Sequence, residues 1–232
     1  MKYNIYHSGE KDKAKILFTP GWNNQINKDF INYLGHTYEI LAVSLEGIDS
    51  TIKLETLYSP KEYVEELETI LDEQNFIPDI IIAHSCGNKF ISNLNVSYKK
   101  IIYIAPSIFK PRLALRLKRR YKIIRNKAMK KLCKLFHKNT AKKYLGSMDY
   151  QSLTKENKEL FMTLKDYYPK SINKTNATLI LFKNDSEIDI KSALKGAKKH
   201  GISDVRTLKG YHSSLYDNPE QILKVINENE YI

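Results

Sequence analysis

The 232-residue sequence predicts an α/β protein, with a mostly parallel central sheet, helices on both faces and an inserted helical cap. Three observations carry this. Short, almost wholly apolar runs, at 80–83, 101–105 and 177–182, alternate with segments of helical periodicity, as expected for strands buried on both faces. The alternation stops after residue 106 and resumes at 176, leaving two successive helical patterns between. Charge respects the same boundaries: residues 107–175 hold 20 Lys/Arg against 4 Asp/Glu, and the other residues hold 18 against 22, so the net charge of +12 belongs to one segment. The expected organisation is a core built from 1–106 and 176–232 and a basic cap at 107–175.

Taken in order, residues 3–7 suit an edge strand and 14–18 a central one, which Pro20 and Gly21 break. Phe30, Ile31 and Leu34 give 27–34 a helical period, and 38–43 is the next strand. Ser59-Pro60 supplies a cap followed by proline at the first helical position, with Tyr63, Val64, Leu67, Ile70 and Leu71 on one face. Residues 100–105 form a strand ending at Pro106. In the cap, Leu113, Leu117, Tyr121, Ile124, Ala128, Leu132 and Leu135 recur every three or four residues, predicting a helix with an apolar stripe. Leu153, Leu160, Phe161 and Leu164 mark a second helix. A strand at 177–182, a helix near 192–200, a strand at 204–208 and a helix at 219–227 complete the chain.

With 42% apolar and 11% aromatic residues, the composition is that of a globular protein. Charged residues throughout 1–15 speak against a secretory signal or anchor there, and no run approaches the roughly 20 apolar residues of a membrane span. Cys86 and Cys133 suggest no disulfide framework, so the default expectation is cytoplasmic. Residues 110–143 contain 15 Lys/Arg and no acid, unlike a solvated face of mixed sign.

The candidate chemistry centres on Ser85, which ends the run Asp79-Ile80-Ile81-Ile82-Ala83-His84 between the small residues Ala83 and Gly87. A nucleophilic serine on a sharp strand-to-helix turn needs small flanking residues because its backbone is crowded. Ser85 as an ordinary helix N-cap is the plainer alternative. Asp185 follows the strand 177–182, and His212 follows the strand 204–208. In a parallel sheet these strand ends share one edge, so Ser85, Asp185 and His212 can converge: a nucleophile, a base, and an acid that orients the base. Glu187 and Asp189 are rival acids. The N–H of Cys86 and, from the loop Pro20-Gly21-Trp22, that of Trp22 are candidate oxyanion donors. His84 reads as packing or pocket lining, Cys133 as cap core, and His7, His36, His137 and His200 receive no role. No metal-ligand spacing or phosphate-binding glycine loop occurs, so no metal or cofactor is expected.

The order Ser85, Asp185, His212, with a cap after the sixth core strand, resembles the α/β-hydrolase superfamily over nearly the whole chain. Thr19-Pro20-Gly21-Trp22 resembles its His-Gly oxyanion loop, Ser44-Leu45-Glu46-Gly47 its Asp-x-Pro-Gly turn, and Tyr211-His212 through Asn218-Pro219-Glu220 its histidine segment. Pro20, Glu46, Ala83 and Asn88 depart from the usual residues. The Gly-Trp pair, modest size and basic cap are similar to esterases that cleave the methyl ester of a pimeloyl chain on acyl carrier protein.

The resemblance implies a serine hydrolase of esters or thioesters, with Trp22 and Phe109 as pocket walls. The cap, through Arg112, Arg116, Arg119, Arg120 and Arg125, is expected to meet an acidic partner: an acyl carrier protein, favoured over an anionic membrane surface, or an acidic substrate. Two alternatives stand beside it: an aminopeptidase or amidase using the same triad, and a non-catalytic module holding nucleic acid. The second is less favoured, since Tyr121 is the one clear aromatic among the densest cations.

Overall fold

The computed structural model describes residues 1–135 and 153–228; side chains at 119, 122–123, 127 and 130–135 are outside the description. Among the described residues seven strands form one sheet: β1 (Tyr3–Ser8), β2 (Lys15–Thr19), β3 (Glu39–Leu45), β4 (Ile80–His84), β5 (Lys100–Ile104), β6 (Ala177–Phe182) and β7 (Asp204–Leu208). Their order is β1-β3-β2-β4-β5-β6-β7. Only β1 runs antiparallel, pairing Tyr3 with Leu45 at one edge. The other pairings are parallel, which brings the C-terminal ends of β2, β4, β6 and β7 to one side.

Side chains of successive strand residues point to opposite faces, so one apolar run feeds two cores. Leu17, Ile81, Tyr103 and Leu179 join Tyr63, Leu67 and Ile70 of α2 (Pro60–Glu73). Ile16, Ile82, Ile102 and Ile180 pack with Phe30, Ile31 and Leu34 of α1 (Lys28–Gly35) and with Ile222 and Ile226 near the C-terminus. Both helices start where local chemistry says they should. Asn27 accepts the Phe30 N–H, and Ser59 with Glu62 makes a reciprocal capping box ahead of Pro60.

After β4 comes a 3₁₀ turn at Ser85–Gly87 and a single-turn helix α3 (Asn88–Ile91), shorter than a full elbow helix. Helices α4 (Leu113–Leu135) and α5 (Lys155–Asp166) lie between β5 and β6. This insertion follows the fifth strand of the sheet, where the resemblance implied the sixth, because the sheet has seven strands. Leu153 precedes α5 rather than belonging to it. The remaining helices are α6 (Ile190–His200), α7 (Ser214–Asp217) and α8 (Pro219–Asn227).

The strand expected at 100–105 as a continuous apolar run opens instead with the buried Lys100, whose ammonium donates to the carbonyls of Val225 and Ile226 at the end of α8. A cation at a helix C-terminus meets unsatisfied carbonyls and the negative end of the dipole. The apolar stripe that the periodicity of α4 predicts lies outside: Leu113, Leu117, Tyr121 and Ile124 are exposed. Leu115, Arg116, Asn126 and Met129 are half-buried instead. The expectation that Cys133 is a core residue concerns a side chain outside those described.

Candidate active site

Ser85 stands at the end of β4 with φ +49°, a left-handed conformation uncommon for a residue with a side chain. Its surroundings leave little room. A Cβ on Gly87 would lie 2.5 Å from the Pro20 carbonyl oxygen, and one on Gly21 would lie 3.1 Å from Ser85 Cβ. Gly87 is therefore required by the approach of the 19–22 loop to the elbow. Ala83 in the earlier position is fully buried and fits. Asn88, a departure in the sequence, has a visible use: its Nδ2 donates to the carbonyls of Ser85 (3.0 Å) and Ile104 (2.9 Å), tying the turn to the end of β5.

The three residues separated in sequence meet at the sheet edge. The Ser85 hydroxyl is 2.8 Å from His212 Nε2, and His212 Nδ1 is 2.8 Å from Asp185 Oδ2. Asp185 is held from its other side, since Oδ1 accepts the N–H groups of Glu187 (2.8 Å) and Ile188 (2.9 Å). Burial pushes its carboxyl pKa upward, but the His212 hydrogen bond and these N–H donors outweigh burial, and the net shift is downward. A carboxylate that stays ionised keeps the imidazole in the Nδ1–H tautomer, leaving Nε2 to accept the serine proton.

Of the two rival acids, Asp189 is engaged elsewhere and Glu187 stays beside His212. Asp189 is bound by the Arg112 guanidinium (2.9 and 3.1 Å) and by Ser192 Oγ (2.6 Å). Burial works upward on its carboxyl too, yet Arg112 and Ser192 bring it down to about 2. Glu187 Oε2 lies 3.5 Å from His212 Nε2, on a largely exposed side chain.

His84, read from the sequence as packing or pocket lining, does line the cavity, while Lys89 escaped the sequence reading. His84 is buried, and its Nε2–H donates to the His212 carbonyl oxygen (2.9 Å), with the two rings 4.8 Å apart. Burial, and next the proximity of His212, pull its pKa down to about 3, so it stays neutral. Lys89 is buried with its ammonium on the carbonyls of Ser107 and Tyr167 and over the Tyr168 ring (4.9 Å), joining α3 to the segment after α5. Burial lowers its pKa to about 8. Only the partners, far away in sequence, identify either residue. Cys86 is a buried free cysteine whose thiol burial pushes up to about 11.

A cavity of about 790 Å³ opens above Ser85 and His212. Trp22, Phe109, Phe161, Leu164, Tyr168 and Ile188 supply most of its apolar wall, and the Trp22 and Phe161 rings meet edge to face at 5.3 Å. Phe109 is seated against Gly196 of α6, where a Cβ would come within 2.2 Å of its ring. Trp22 and Phe109 therefore line the cavity, with Cys86 beside them. Of the five arginines expected to bind substrate or partner, Arg112 is taken up by Asp189, and Arg116, Arg120 and Arg125 do not line the cavity; the Arg119 side chain is outside those described. Phe161, Leu164 and Lys165 of α5 line the cavity, and no described residue of α4 does. Among the described residues no cluster suited to a metal ion occurs, and no helix is long and apolar enough to cross a membrane.

No protein-family model matches the sequence, and no curated protein matches it. Solved structures do. The chain is similar to an α/β-hydrolase fold protein from Burkholderia ambifaria (TM-score 0.66, 15% identity, 98% of this chain and 94% of that one). It is similar to an esterase from a marine microorganism (TM-score 0.68, 13% identity, 98% of each chain). It is also similar to a 1H-3-hydroxy-4-oxoquinoline 2,4-dioxygenase (TM-score 0.61, 15% identity, 97% and 95%). An esterase and a dioxygenase share this architecture, so the reaction must be argued from the site. The chain has the α/β-hydrolase fold.

Proposed function

We propose that this protein is a serine hydrolase that cleaves a carboxylic ester or thioester through an acyl-enzyme at Ser85. The observation that carries the proposal is the unbroken hydrogen-bond chain Ser85–His212–Asp185 at the floor of a largely apolar cavity. Ser85 Oγ attacks the carbonyl carbon as its proton passes to His212 Nε2. Asp185 holds Nδ1–H and stabilises the imidazolium that forms. The carbonyl oxygen becomes an oxyanion, for which the N–H groups of Cys86 and Trp22 are the assigned donors. Collapse expels the alcohol or thiol, protonated by His212, and water then repeats the cycle in reverse roles to release the acid. In this scheme residues 107–175 act as the cap, with α5 roofing the acyl pocket.

Labelling with a fluorophosphonate, followed by hydrolysis of esters of increasing acyl length, tests this directly. Labelling of wild type but not of Ser85→Ala is expected, with faster turnover of acyl chains that fill the cavity. Unlabelled wild-type protein with no esterase activity would end the proposal. Faster cleavage of amides than of matched esters would move it to the amidase class.

A further inference from the structure

Helix α4 carries its apolar stripe on the outside. Leu113, Leu117, Tyr121 and Ile124 follow one another at spacings of four, four and three, which puts them on one face, and they are 65%, 54%, 67% and 67% exposed. Ala114 and Ala128, on the same side, are exposed too, while Leu115, Asn126 and Met129 are half-buried on the other. Around this stripe the helix has ten Lys/Arg and no Asp/Glu. Aligned large apolar side chains left in water mark a surface that meets something apolar. A cationic polar face flanking such a stripe is the pattern of helices that lie in the plane of a bilayer interface.

We propose that α4 lies on an anionic lipid surface, with the stripe entering the boundary between headgroups and acyl chains and the flanking cations meeting lipid phosphates. Charge fixes the orientation. The residues outside 107–175 sum to −4, so an anionic surface attracts the cap and repels the remainder. An acidic carrier protein would be matched by the cations but leaves the apolar row without a purpose, and nucleic acid finds one aromatic side chain, Tyr121, in the row. The ion pair of Arg112 with Asp189 at the cavity wall sets the start of α4 beside the candidate site, so a lipid-borne ester would be presented close to Ser85. The proposal rests on the surface of α4 and does not require the hydrolase reading.

Flotation of the full chain with vesicles tests it, comparing phosphatidylcholine alone with mixtures containing phosphatidylglycerol, across a salt series. Binding to the anionic vesicles is expected, weakened but not abolished by salt, because apolar insertion is not screened. The triple variant Leu117→Ser, Tyr121→Ser, Ile124→Ser retains every charge and alters only exposed positions. It should keep the wild-type melting temperature and lose at least about tenfold in vesicle affinity. In a separate Tyr121→Trp variant, the indole emission should shift to the blue on anionic vesicles. No binding at low salt, or equal binding by the triple variant, would overturn the proposal. Tighter binding of wild type to an acidic carrier protein or to duplex DNA than to vesicles would overturn it as well.

Discussion

The edge of the sheet around Ser85 and helix α4 differ in how their polar groups are satisfied. At the sheet edge, His212 reaches Ser85 across 127 positions of sequence and Asp185 across 27, and the Ser85 carbonyl is tied to Asn88 and Ser107. On α4, Arg116, Arg120 and Arg125 have no ion pair with any described acid, and the apolar face is outside. Geometry at the first region is set by several partners at once, so single substitutions there should be costly. At the second, surface composition matters and exact placement does not.

The largest effects are expected at Ser85 and His212. Ser85→Ala and His212→Ala should each lower kcat for a soluble ester by at least roughly a thousandfold, and the double variant should be little worse than either, because the pair acts as a unit. Additive losses in single-turnover kinetics would break the claim that they work together.

A second comparison sets two acids a few residues apart against each other. Asp185→Asn should cost about a hundredfold or more in kcat, since the amide cannot hold the required tautomer. Asp189→Asn frees Arg112 and should change kcat less than about tenfold. If Asp189→Asn proves the more damaging in the same assay, Asp185 is not the orienting acid.

Proton linkage gives an effect of intermediate size. The folded pKa of His84 lies at about 3, below its unfolded value near 6.5, so between these pH values the unfolded chain binds the extra proton. Stability should therefore fall as pH drops from 6.5 towards 3, by up to a few kcal/mol from this residue. Denaturant melts of wild type and His84→Asn, run across that range, should show a shallower acid loss in the variant; parallel curves would remove His84 as the cause. Asp185 adds to the acid loss with the usual carboxylate sign: its pKa is depressed, so its contribution is present above about pH 4 and fades as pH falls through the folded value.

The smallest effect belongs to α4. Replacing Arg120 and Arg125 with Gln should shift folding stability by no more than about 0.5 kcal/mol per site, because neither has a buried partner. A larger drop in melting temperature would show that these charges support the fold as well as facing outward.

The sequence alone determined a good deal. The apolar runs and their turn residues specified the parallel core, and Ser85, Asp185 and His212 each sit within four residues of a strand's end, a position visible without coordinates. The basic block between 110 and 143 is equally plain. Tertiary structure decided the rest. It put Asp185, not Asp189, in hydrogen-bond contact with His212, and an arginine 77 positions away occupies Asp189. It turned the α4 stripe outward, which periodicity cannot foresee: a period reveals a face, not what the face meets. It gave Asn88, His84 and Lys89 their partners at the ends of other elements. Hydrogen bonds between residues distant in sequence leave no local pattern, so such roles become readable only once the chain has folded.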